Sequence, residues 1–169
     1  MVQINESIND TAKRQVVITR VLNAPRELVF KAFTDPKHLV RWYAPVGCTL
    51  HIASFDAREG GAFHTCIRST QHHDCWCKGI FLEVAEPKRL VYTMAVADEQ
   101  GNLVSPADAG MDPEWPAETV VTITFEEHDG STKVTLHQTA LESVAKRTGA
   151  YPSWLQMLDN LEEELKYVQ

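Results

Sequence analysis

His72, His73, Asp74, Cys75 and Cys77 bring every common transition-metal ligand type into six residues. The chemistry that such a set offers is a zinc or copper site. Spacing argues against it. Cys-x-Cys on a strand puts both thiols on one face about 6.5–7 Å apart, near what a tetrahedral site spans. The two histidines, however, fall in a turn that gives them no fixed aim, and no second Cys-x-Cys or Cys-x-x-Cys answers the first. The expectation is an exposed turn followed by small buried thiols, with no metal and no cofactor. A cysteine nucleophile, Cys77 with His64 or His51, is the next possibility. On a strand, His64 shares its parity with Cys66 and not with Cys77, so the pair faces opposite ways. The same parity forbids a Cys66–Cys77 disulfide. Asp56 and Glu59 flank the Gly60-Gly61 turn, with Arg58 as an ion-pair partner at a rim. There is no Ser-His-Asp constellation, and no catalytic residue is assigned.

What remains is apolar chemistry on strand faces. Cys75, Cys77, Gly79 and Phe81 share one face of a strand, and Phe63, Thr65 and Ile67 share one face of the strand before it. A turn centred near His72 sets residues 63, 65 and 67 opposite 81, 79 and 77, so the two apolar sets agree. Leu90, Tyr92 and Met94 continue the face. Ile123 lies on it with Val121 and Phe125, and Gln138 is a polar member of the last strand. The final helix turns Trp154, Leu158, Leu161 and Leu165 toward the sheet, with Met157 at the margin. Most of these are expected to be core. Trp42, Tyr92, Met94, Gln138 and Met157 carry the stronger functional reading, because buried polar atoms need partners and methionine packs adaptably. The candidate ligand-binding set is therefore these five with Phe63, Thr65, Ile67, Cys77, Phe81, Ile123, Trp154 and Leu158.

The elements that must position these residues follow from period and punctuation. Residues 15–23 read as a strand, and Pro25 opens a helix with Leu28, Val29, Ala32 and Phe33 at helical spacing. Thr34-Asp35-Pro36 ends it and starts a short second helix through about Trp42. Strands follow at about 48–57, 61–69, 74–84 and 89–97, then 118–127 and 131–140 across the His128-Asp129-Gly130 turn. Leu141 to Arg147 read as a helical turn, and Tyr151 to Val168 as the long last helix. The segment 98–117, with Gly101, Pro106, Gly110, Pro113 and Pro116, is a long loop. It is expected at the cavity mouth, opposite a rim formed by Trp42-Tyr43.

Apolar content of 44% and charged content of 23% are those of an ordinary globular chain. A net charge of −7 with no basic run excludes nucleic acid as a partner. No segment approaches the roughly 18 apolar residues of a membrane span. The expectation is a cytoplasmic protein, monomer or homodimer, with a flexible leader over residues 1–13 and one domain over 14–169.

The order of strand, two helices, six strands and long helix carries a set of phrases: Ala24-Pro25, Val29-Phe30, Thr34-Asp35-Pro36, Trp42, Asp56-x-Arg58-x-Gly60-Gly61-x-Phe63, Gly79-x-Phe81-x-Glu83-Val84 and Glu86-Pro87-x-Arg89-Leu90. With these phrases the chain resembles the Aha1-like branch of the START/Bet v 1 helix-grip (SRPBCC) superfamily over about residues 14–168. The resemblance implies an α+β fold, a curved seven-stranded antiparallel sheet gripping the C-terminal helix around a hydrophobic cavity. It implies no universal catalytic residue. Three functions stand. The leading one is binding of a small hydrophobic molecule in the cavity. The second is an enzyme of cyclase, hydrolase or isomerase type using the same pocket, which would need a His, Asp or Glu projecting inward. The third is an Hsp90 co-chaperone-like role, which an exposed apolar patch around Met111 and Trp115 would favour.

Overall fold

Alternation of buried and exposed side chains shapes the sheet, most regularly in its last two strands. In the computed structural model, which describes residues 13–168, the strands are β1 (Gln15–Leu22), β2 (Cys48–Phe55), β3 (Ala62–Ser69), β4 (Cys75–Ala85), β5 (Arg89–Val96), β6 (Glu118–His128) and β7 (Ser131–Leu141). They form one antiparallel sheet in the order β1-β7-β6-β5-β4-β3-β2. β1 pairs with the last strand, so the first and last strands lie side by side and β2 is the far edge. On β6 and β7 every second residue is buried, which is the signature of a sheet covered on one face only. Irregular register at Ile52/Ser54 and at Phe81/Glu83 bends the β2–β5 half.

The helices are α1 (Arg26–Thr34), α2 (Pro36–Trp42), α3 (Glu142–Thr148) and α4 (Ala150–Leu165). α1 and α2 meet at Asp35, whose carboxylate accepts from the Lys37 amide at 2.9 Å, with Pro36 in the first turn of α2. α4 begins after Gly149, whose φ of 90° separates it from α3. Trp154, Met157, Leu158, Leu161 and Leu165 form its buried stripe. Trp154 is 3%, Leu158 1% and Leu161 0% exposed, as expected of the helix that the sheet grips. α4 ends at Leu165, short of the expected Val168. The expected leader, apart from Lys13, lies outside the described residues. No helix among the described residues is long and apolar enough to cross a membrane.

One half of the interior is filled. Phe30 and Phe33 of α1 meet Phe125 of β6 edge-to-face at 5.1 and 5.4 Å, and Phe33 meets Trp42 at 4.7 Å. The polar members of this half are all satisfied. Gln138 donates to Thr119 Oγ1 at 3.0 Å and accepts from Trp154 Nε1 at 2.9 Å. Trp42 Nε1 donates to the Ala32 carbonyl at 2.9 Å.

The β3–β4 register corrects one expectation. Phe63 lies opposite Gly79, Thr65 opposite Cys77 and Ile67 opposite Cys75, a slip of two residues from the expected pairing. The turn centres on Gln71 rather than His72, because Ser69 Oγ caps the amides of Gln71 and His72 and starts the turn early. A slip of two preserves the face of every side chain.

Candidate functional site

The other half of the interior encloses a cavity of about 80 Å³. Its floor comes from three strands: Phe63, Thr65 and Ile67 of β3, Cys75, Cys77 and Phe81 of β4, and Tyr92 and Met94 of β5. Leu50 and Phe55 of β2 form one wall. Phe33 of α1, Leu39 of α2 and Tyr43, the residue after α2, form the roof. The space lies on this side because α4 packs toward β1, at the opposite end of the sheet from β2.

Four rings pave the floor and its β2 wall. Phe81 lies 5.5 Å from Phe55, 5.6 Å from Phe63 and 5.8 Å from Tyr92, and Phe63 lies 5.8 Å from Tyr92. Gly79 makes this paving possible. A Cβ there would stand 2.6 Å from Phe63 Cε1 and would run into the Thr93 carbonyl, so the ring occupies the place of the missing side chain. The roof is held by a second chain of rings. Tyr43 packs edge-on to Trp42 at 5.3 Å and to Trp154 at 5.7 Å. The segment leaving α2 is fixed by Asn160, which donates to the Ala44 carbonyl at 2.9 Å.

No lining side chain carries a charge; the polar ones are Tyr43, Thr65, Cys75, Cys77 and Tyr92. Burial pushes the Cys77 thiol up to about 12, with the neighbouring Cys75 adding to it. Cys75, exposed rather than buried as expected, stands between the cavity and a surface cleft beside residues 72–76, and its thiol is also raised, by desolvation first and then by Cys66. Desolvation raises Tyr43 and Tyr92 well above the ordinary phenol value. All four groups are therefore protonated near neutral pH. A thiol without its thiolate is a poor nucleophile and a poor metal ligand. Among the described residues, no three His, Cys, Asp or Glu side chains converge as a metal site. Arg58 pairs with Asp56 at 2.8 Å on the surface.

Of the candidate set, Phe63, Thr65, Ile67, Cys77, Phe81, Tyr92 and Met94 line the cavity together. Trp42, Ile123, Gln138, Trp154, Met157 and Leu158 do not; the structure packs them in the filled half, Trp42 and Trp154 buttressing Tyr43 from behind. Sequence reasoning missed the contributions of Phe33, Leu39, Leu50 and Phe55. Tyr43 was expected only as a rim, and Cys75 only as a member of the inward face.

The segment 98–117 does not line the cavity itself; residues between 98 and 111 line the neighbouring surface cleft that shares Cys75 with it. Its first turn folds over the outer face of the sheet. His64 Nε2 lies 3.0 Å from the Asp98 carbonyl, and Lys78 Nζ donates to the Gly101 carbonyl at 2.7 Å. His64 and His51 flank the Trp76 ring at 4.8 and 5.9 Å, and Cys66, between His51 and Trp76 in the ladder, is fully buried on this outer face. Further along, Arg147 of α3 pairs with Asp112 and Glu114 at 3.4 and 3.0 Å, and Trp115 packs half-buried against the core. Met111 and Trp115 thus form no exposed apolar patch.

Comparisons with known proteins agree with this architecture. The structure is similar to protein CV1439 from Chromobacterium violaceum, with 25% identity, 89% of this chain and 96% of that one covered, and a TM-score of 0.73. It is similar to a protein from Staphylococcus epidermidis, with 26% identity, coverages of 93% and 92%, and a TM-score of 0.75. A protein from Arthrobacter aurescens, at 18% identity, shares the fold with a TM-score of 0.79 over 94% of this chain and 89% of that one. No curated protein matches the sequence significantly. The model of one family, activator of Hsp90 ATPase homolog 1-like protein, matches residues 23–166, and the chain belongs to that family.

Proposed function

We propose that this protein binds a small hydrophobic molecule between the β3–β5 floor and the α1–α2 roof. The observation that carries the reading is the cavity itself, lined mostly by apolar side chains and by no charged one, in an interior that is otherwise filled. At about 80 Å³ it is smaller than the roughly 150 Å³ cavity that holds benzene in a well-known engineered case. Occupancy therefore requires the lining to give, and the side chains able to do so are Met94 of the floor, with its flexible thioether, and Tyr43 of the roof, which is only partly buried. An enzymatic role finds no support in the lining, since no carboxylate or imidazole projects into the cavity to act as a base. The packing of half-buried Trp115 against the core leaves no exposed apolar patch of the kind that would favour a co-chaperone-like role.

Titration calorimetry with ethylbenzene tests the reading. Binding is expected with Kd on the order of 100 µM, about −5.5 kcal/mol, and Thr65→Phe, which fills the cavity, should abolish it. Ethylbenzene that binds wild type and Thr65→Phe equally well would place the site elsewhere. Mass spectrometry of compounds extracted from the purified protein would identify a natural occupant directly.

A further inference from the structure

The polar groups of the cavity are unbalanced in one direction. Tyr43 and Tyr92 each bring one hydroxyl hydrogen to donate, the Cys77 thiol gives its own to the Lys78 carbonyl at 3.9 Å, and the lining holds no carboxylate, imidazole or amide side chain to receive the phenolic ones. Tyr43 of the roof and Tyr92 of the floor both line this cavity. Were one phenol to donate to the other, the second O–H of the pair would still need an acceptor of its own. The protein atom within reach is a thioether: Tyr43 Oη stands 4.0 Å from Met94 Sδ, a weak acceptor. A hydroxyl held in an apolar, aromatic-walled space with so poor a partner costs free energy that a ligand oxygen would recover.

The lining also decides the charge of that oxygen. No Lys, Arg or His borders the cavity, so a carboxylate or phosphate would be desolvated without a counter-ion. A carbonyl oxygen has two lone pairs, carries no charge and can accept from both phenols at once.

We infer that the ligand is an uncharged molecule with a carbonyl-type oxygen (ketone, ester, amide or quinone), that this oxygen sits between the hydroxyls of Tyr43 and Tyr92, and that its apolar body lies over the Phe63–Phe81 floor. The inference rests on the ligand-binding reading above. Tyr43 and Tyr92 are then the residues that set specificity: an apolar ligand of the same shape leaves both donors as poorly satisfied as they are in the empty protein, and an acceptor-bearing one does not.

Acetophenone and ethylbenzene share a carbon skeleton and differ in the carbonyl, so the pair isolates the effect. Both are titrated into wild type and into a Tyr43→Phe/Tyr92→Phe variant, which loses two hydroxyls and almost no volume. The double substitution should weaken acetophenone roughly tenfold and change ethylbenzene less than about twofold, the size expected for neutral hydrogen bonds. The carbonyl stretch of bound acetophenone should lie at lower wavenumber in wild type than in the variant. Retained ethylbenzene binding shows that the variant is folded; were the double variant unstable, Tyr92→Phe alone should still move the stretch. An equal change for both probes, or an unmoved stretch, overturns the inference while the pocket stands. Benzoate binding more tightly than acetophenone overturns the claim of neutrality. Failure of both neutral probes to bind wild type overturns the ligand-binding reading itself.

Discussion

Gly79 shows how one residue without a side chain shapes the cavity floor. The Phe63 ring lies over it and the Thr93 carbonyl closes the other side, so even a methyl group has no room. Gly79→Ala should destabilise by about 1–3 kcal/mol, the usual cost of forced overpacking, read as a lower urea midpoint. Gln138 makes the opposite point. It was a candidate ligand contact, yet both ends of its amide are used within the core. Gln138→Leu should cost about 1–3 kcal/mol by leaving Trp154 Nε1 buried and unpaired, with ethylbenzene affinity unchanged because residue 138 lines no part of the cavity. The buried thiol of Cys77 links the site to pH. Folding raises it from the ordinary 9.0 to about 12. The unfolded chain therefore sheds this proton first, and the stability linked to it is complete below pH 9 and lost as pH rises toward about 12. Cys77→Ser, whose hydroxyl does not titrate in that range, should flatten the alkaline fall in urea-derived stability between those limits.

At the scale of elements, α2 sets the position of the roof. It is a seven-residue helix, too short to persist alone, and Asp35 at its start and Asn160 just beyond its end hold it in place. Asp35→Ala should lower stability by about 1 kcal/mol and speed ligand entry, which stopped-flow binding would show as a larger association rate. A loss of stability with no change in rate would mean that α2 is not part of the entry path. The strands were legible in the sequence because alternation survives local error: a turn misplaced by one residue slipped the β3–β4 register by two and left Phe63, Thr65, Cys77 and Phe81 facing inward. The roof was not legible, since nothing in the spacing of Phe33 or Leu39 distinguishes a side chain packed on the sheet from one suspended over a gap. Nor was the split of the interior into a filled and a hollow half, which depends on where α4 crosses the sheet. Ile123 carries the same alternation as Phe81 and Tyr92 and differs only in packing in the filled half, where Met157 and Leu158 of that helix also lie. The path of residues 98–117 was hidden for a similar reason. It is held by His64 and Lys78 of the outer face, whose polar side chains read equally well as solvent-exposed.

For the molecule as a whole, a cavity is stability forgone. The space of about 80 Å³, at about 24 cal/mol per Å³ of cavity, corresponds to an upper limit of about 2 kcal/mol that a filled interior would regain. The filled half of the same core shows that the chain can pack tightly where nothing needs to enter. Thr65 is the position from which to fill the hollow half: it lies mid-strand on β3, is buried, and faces Cys77 across the ladder. A benzyl group there meets Phe63, Phe81 and Tyr92 around the space, whereas an indole would overfill it. Thr65→Phe should therefore raise Tm, by up to about 4–8 °C for a chain of this size, while it abolishes ethylbenzene binding. Gain of stability together with loss of binding is the pattern of a site kept open against its own packing. Wild type with excess ethylbenzene should recover part of the same increase, since a ligand at free concentration L that binds only the folded state stabilises it by RT ln(1 + L/Kd). A Thr65→Phe protein that melts lower than wild type would show that the space is needed for the sheet's curvature rather than for a ligand. Differential scanning calorimetry of the two proteins, with and without ethylbenzene, separates these outcomes.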